Sequence, residues 1–79
     1  MRVVVVGLGV QGKKRVQVAG SDVRATVDPV AAADFVRLED VPLDHYDAAL
    51  LCIPDEPKMA TIHYLMEHGK HFLVEKPLF

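Results

Sequence analysis

Seventy-nine residues, 51% hydrophobic and 25% charged, make one small soluble globular domain at most and exclude a disordered tail. A domain of this size buries only about 60% of the surface its unfolded chain exposes, so its core is marginal. A net charge of −2 leaves no basic field, and no apolar run is long enough to cross a bilayer, so neither nucleic acid nor membrane is an expected partner.

Val3 to Val6 is a continuous β-branched run and reads as a strand buried on both faces, as in a parallel sheet covered by helices. The glycine-rich Gly7-Leu8-Gly9-Val10-Gln11-Gly12 follows, and then a helix from about Val10 to Ala19 that Gly20-Ser21-Asp22 ends. The run into Lys13-Lys14-Arg15 offers no small-residue cleavage site, so Met1-Arg2 and the valines are not a signal peptide, and a cytoplasmic protein is expected. Val23 to Val27 is a second strand, closed by Asp28-Pro29 because proline cannot continue a central ladder.

Ala31 to Ala33 allow barely one helical turn before Phe35 to Leu38, a candidate short strand, and Asp40 to Asp47 reads as a loop or short surface helix. Ala48 to Ile53 is the next strand. Its Cys52 is the only cysteine, so no internal disulfide can form, and with no basic neighbour to activate the thiol it reads as a small buried hydrophobe. Pro57 suits the first position of the following helix, where Met59, Ile62, Leu65 and Met66 recur on one apolar face and Gly69 stands just past the end. His71 to Val74 is the last strand. Strands alternating with helices or loops predict an α/β Rossmann-like doubly wound parallel sheet of about five strands, forming the amino-terminal part of one nucleotide-binding domain over residues 1–79.

GLGVQG fits the GxGxxG pattern, which alone is weak but here stands between a buried strand and a helix. In that context Gly7 makes the tight turn, Gly9 admits a pyrophosphate against the backbone, and Gly12 lets helix pack on strand. The N–H groups of Val10, Gln11 and Gly12 then face the phosphates at the positive end of the helix dipole. Lys13, Lys14 and Arg15 oppose that dipole, at about 0.3–1 kcal/mol each when exposed, unless an anion binds nearby. The side chains are expected to be solvated, and binding is assigned to the backbone. Asp28 closes the second strand, where a carboxylate can accept from the adenosine ribose hydroxyls and repel a 2′-phosphate; NAD is therefore expected over NADP. An ordinary Asp-Pro turn is the alternative reading of that residue. No spaced His/Cys/Asp cluster suggests a metal.

Three blocks in order resemble the Gfo/Idh/MocA family of oxidoreductases: GLGVQG with Asp28; Ala49-Leu50-Leu51-Cys52-Ile53-Pro54; and Gly69-Lys70-His71-Phe72-Leu73-Val74-Glu75-Lys76-Pro77-Leu78. Departures are Asp55, where the family usually has asparagine, and Lys58, where it usually has histidine. The resemblance implies that Lys76 is the catalytic residue, beside the nicotinamide and the reacting substrate carbon, where a cation stabilises a developing alkoxide. It also implies that Glu75 helps hold the nicotinamide ribose and that Ile53 and Pro54 pack along the cofactor. Family members carry a further α+β domain that supplies the substrate pocket. Residues 1–79 are thus expected to be catalytically incomplete alone, taking a small-molecule substrate only with a further domain. The rival reading is a non-catalytic nucleotide-binding or self-associating module, joined through an exposed sheet edge into a homo-oligomer.

Overall fold

The computed structural model describes residues 1–53 and 55–75, with the backbone alone at Gln11 and at 55–57. Its elements are β1 (Val3–Val6), α1 (Val10–Ala19), β2 (Val23–Val27), β3 (Ala48–Leu51), α2 (Asp55–Glu67) and β4 (His71–Val74). All four strands run parallel in the order β2-β1-β3-β4, the arrangement of a Rossmann-like crevice with β1 and β3 at its centre. Every residue of β1 is buried, as its unbroken valine run demands.

The two faces of the sheet are covered differently. On one, Val4, Val6, Ala25, Val27, Ala49 and Leu51 form a core with Leu65 of α2 and with Leu38, Val41 and Tyr46. Those last three come from the 38–46 connection, which forms two single 3-10 turns, Leu38–Asp40 and Leu43–His45, in place of a crossover helix. A short connection with three buried side chains does the covering that a longer helix otherwise would. α1 lies against β1 and β3 and turns Gly12, Arg15, Val16 and Ala19 inward at helical spacing, leaving Val10 and Val18 outside.

Three expectations need correction. The expected fifth strand over Phe35 to Leu38 is a single parallel bridge between Val27 and Phe35, and the sheet has four strands among the described residues. Asp28 explains why pairing stops there: its Oδ1 accepts from Val30 N–H at 2.8 Å, the donor that the next rung would need, while Asp34 accepts from Thr26 N–H on the other side of the bridge. Residues Cys52 and Ile53 lie past β3, and α2 begins at Asp55, so Pro57 falls within the first turn, where its missing N–H still costs nothing. Finally, the expected face of α2 holds in part: Leu65 is fully buried and Ile62 packs against the core, whereas Met59 and Met66 are exposed and Lys58 is buried instead.

The carboxyl end of α2 follows the expected form. Gly69 has φ +66, its N–H bonds Met66 O at 3.2 Å, and Lys70 N–H bonds Leu65 O at 2.9 Å. This paired 5→2 and 6→1 pattern is the Schellman motif, which favours glycine at its left-handed position. It turns the chain directly into β4.

Candidate functional site

An open cleft of about 600 Å³ lies along the carboxyl ends of the strands. The glycine turn forms its floor, Asp28 and Pro29 one side, the 36–39 loop a second, and Cys52 with Ile53 a third. This is the edge of a parallel α/β sheet where ligands bind, because the chain changes direction there and exposes helix amino termini.

The three glycines of the turn have different reasons to be glycine. A side chain on Gly7 would overlap the Cys52 carbonyl oxygen, and its φ of +96 is a conformation that L residues rarely adopt. On Gly12 it would overlap the Gly7 carbonyl oxygen, which shows how closely α1 packs down on the end of β1. Around Gly9 there is nothing within 4 Å of the position a Cβ would take, and its φ of −72 is ordinary. Protein packing therefore accounts for Gly7 and Gly12 and leaves Gly9 unexplained. Gly9 also lines the cleft. Among the described residues no side chain caps the amino terminus of α1, so the amides of Val10, Gln11 and Gly12 are left without intrahelical partners.

Asp28 is tied into the turn. Oδ2 accepts from Leu8 N–H at 2.7 Å, and Oδ1 accepts from Val30 and Ala31 N–H, both at 2.8 Å. The Leu8 amide foremost, then those of Ala31 and Val30, hold the carboxyl below its usual range, so it is ionised at neutral pH. A carboxylate offers about four lone-pair sites, and three are filled, which leaves one for a ligand hydroxyl. The turn reading of Asp28 holds, and it does not use up the carboxylate. The carboxylate ties the end of β2 to the glycine turn and still faces the cleft.

On the other side of β1 the site is ionic. Arg15 Nη2 meets Glu75 Oε1 at 2.5 Å, with the Glu75 side chain only 15% exposed. Glu75 N–H continues the ladder to Leu51 O at 2.9 Å. Lys13 and Lys14 are exposed as expected, but Arg15 is half-buried and not a solvated cation. One signal for this was present in the sequence: Arg15 stands three positions after Gly12, hence on the same sheet-facing side of the helix. Cys52 is half-buried on the cleft wall, its thiol pushed up by burial and by Glu75, with Arg15 opposing. Ile53 lines the cleft too, whereas Pro54 and Lys76 lie outside the described residues. The lining residues Val36, Arg37, Leu38, Glu39 and Thr61 carried no sequence motif; the folding of the 36–39 loop over the crevice brings most of them there. Among the described residues no group of three or more His, Cys, Asp or Glu could hold a metal, and no helix is long and apolar enough to cross a membrane.

No family model and no curated protein matches the chain. A solved structure does: UDP-N-acetylglucosamine 3-dehydrogenase GnnA from Acidithiobacillus ferrooxidans, with a TM-score of 0.80 and 27% sequence identity. The match covers 98% of this chain and 30% of that one, so the chain spans under a third of that dehydrogenase's length. The resemblance to Gfo/Idh/MocA oxidoreductases, carried in the sequence by three short blocks, is thus matched in structure over nearly the whole chain.

Proposed function

We propose that this Rossmann-like segment binds a dinucleotide, NAD before NADP, as the nucleotide-binding part of a dehydrogenase acting on a hydroxyl-bearing, sugar-like substrate. Gly9 carries the proposal, because nothing among the described residues packs over it and a phosphate passing over the turn would need that open space. The residues present fit the cofactor. The first-turn amides of Val10, Gln11 and Gly12 would face the pyrophosphate at the positive end of α1. The open acceptor site on Asp28 would take one adenosine ribose hydroxyl, and its negative charge disfavours a 2′-phosphate beside it. Ile53 and Pro54 would pack along the cofactor, and Glu75 would stand near its second ribose.

When bound, the nicotinamide would supply hydride chemistry. The resemblance assigns Lys76 to the reacting oxygen, where an ammonium group would donate a hydrogen bond to a developing alkoxide or carbonyl oxygen and stabilise its negative charge. Positioning a substrate needs a second wall to the cleft. The sugar-like class follows from the likeness to GnnA, whose name specifies a nucleotide-sugar dehydrogenase. A second reading, a non-catalytic module that self-associates, is favoured by β4. This strand pairs only with β3, and Leu73 is 54% exposed along it.

Gly9→Val tests the proposal. The variant should lose about 1 kcal/mol, the usual effect of a poor residue at a helix N-cap, and stay folded, yet lose saturable binding of NADH followed by the nucleotide's own fluorescence. If the parent chain gives no saturable change up to millimolar NADH, the cofactor reading fails. Equal binding by Gly9→Val would remove the observation it stands on. Sedimentation of the parent chain separates the second reading, which requires an assembly larger than a monomer.

A further inference from the structure

The geometry points to Arg15 as a positioning residue for the half of the cleft beyond the pyrophosphate: through its ion pair with Glu75 it holds the chain leaving β4 against α1, so that Glu75 is set to receive the distal ribose. The inference rests on the dinucleotide reading above and deepens it. The adenosine side of the crevice is organised by backbone amides around Asp28 at the end of β2. Across β1 and β3, no such backbone cradle surrounds the carboxylate of Glu75 among the described residues. It is fixed by Arg15 Nη2 at 2.5 Å and is 15% exposed.

A carboxylate this far out of water needs a cation or several donors, and removing the partner of a buried pair leaves an uncompensated charge. Glu75 without Arg15 would therefore lose the charge that holds it against α1. With Oε1 committed to Arg15, Oε2 is the atom a ribose hydroxyl would use. Among the described residues Arg15 Nε is buried with no hydrogen-bond partner. Arg15 lies on the sheet-facing side of α1 and Glu75 pairs through its N–H with Leu51, next to Cys52, which lines the cleft and feels both charges.

The test compares NADH, ADP-ribose and ADP on the parent chain, Arg15→Gln and Glu75→Gln. ADP carries the adenosine and diphosphate only, whereas the other two add the distal ribose. Either substitution should weaken NADH and ADP-ribose by about tenfold, and ADP by no more than about twofold, with no further loss in the double variant, as coupled neighbours behave. ADP weakened in step with NADH would make Arg15 a phosphate ligand or a brace of the whole fold, and would overturn the inference. Unchanged NADH binding would overturn it as well. A parent chain that binds neither ADP nor NADH would remove the dinucleotide reading and this inference together.

Alkylation of Cys52 gives a readout that needs no ligand. Arg15 lowers the thiol's pKa, so Arg15→Gln in an intact fold should react more slowly than the parent. Faster reaction would mean that the end of the sheet had opened. Glu75→Gln, which removes an opposing charge, should instead react faster while melting like the parent, and a slower reaction there would contradict the placement of the pair.

Discussion

The two ends of the sheet are fastened in opposite ways. At the amino ends of the strands, polar groups pair off within the protein. Arg2 bonds the Asp44 carbonyl at 2.7 Å and pairs with Asp47 at 3.0 Å, just before β1 and β3. Lys70, just before β4, donates to the Leu43 and Tyr46 carbonyls at 2.5 and 2.6 Å and lies 4.8 Å from the centre of the Tyr46 ring. At the carboxyl ends, by contrast, first-turn amides, one acceptor site of Asp28 and a buried Arg15 Nε are left over. One end is closed by polar pairs within the protein, and the other leaves polar groups unpaired among the described residues.

Four substitutions sharpen or break that contrast. Gly12→Ala should have the largest effect, about 3 kcal/mol of destabilisation in a denaturant melt, because the added methyl meets the Gly7 backbone and not a movable side chain. Like Gly9→Val it should abolish NADH binding, but through damage to the fold rather than at the cleft surface alone. If Gly12→Ala melts normally, the packing account of that glycine is wrong.

Lys70→Met comes next, at about 2 kcal/mol, since it strips two partly buried carbonyls of their donor. NADH affinity should be unchanged in the folded fraction; a specific loss of affinity would mean that the two ends are coupled. Tyr46→Phe should be neutral or stabilising by up to about 1 kcal/mol, because the buried hydroxyl has no partner to lose. Burial pushes that hydroxyl from 10.0 up to about 12. Its raised folded value means the stability it contributes is complete below pH 10 and is lost as pH climbs through about 12. Tyr46→Phe should erase that component of the alkaline melt.

The smallest effect belongs to Arg2→Gln. Arg2 holds Asp47 down at about 2, so the pair contributes above the ordinary value of 3.8 and loses its contribution as pH falls through 2. Both side chains are 44% exposed and screened by water, so the gap between parent and variant is small at neutral pH. It should close on acidification, and a gap that persists below pH 2 would show that Arg2 acts through its bond to the Asp44 carbonyl instead.

Much of the architecture was legible before any coordinates. β1, α1, β2 and β4 lie where the valine runs, the glycine turn and Gly69 put them, because each is specified by neighbours in the chain. The face of α2 was misread because Met59 and Met66 have the right chemistry for a core but sit about a quarter-turn off the side that meets the sheet. Hydrophobicity alone does not say which side that is. The bridge at Phe35 was overread as a strand because Asp28 supplies a competing bond to Val30 N–H, which no hydrophobic pattern reveals.

Of the candidate site, the GxGxxG turn and Asp28 could be found from spacing, yet the separate duties of the three glycines could not. Those duties depend on Cys52 and Ile53, which reach the turn only when β3 pairs with β1. The amino-acid order by itself determined the strand–turn–helix opening, the parallel α/β class and the position of the phosphate turn, because all three rest on short-range periodicity and glycine geometry. Only the tertiary structure decided that Gly9 faces open space, that Asp28 is spent on three amides and that Arg15 closes on Glu75. Each of those depends on backbone or charge brought together by sheet and loop packing, and no local rule fixes which distant group will arrive.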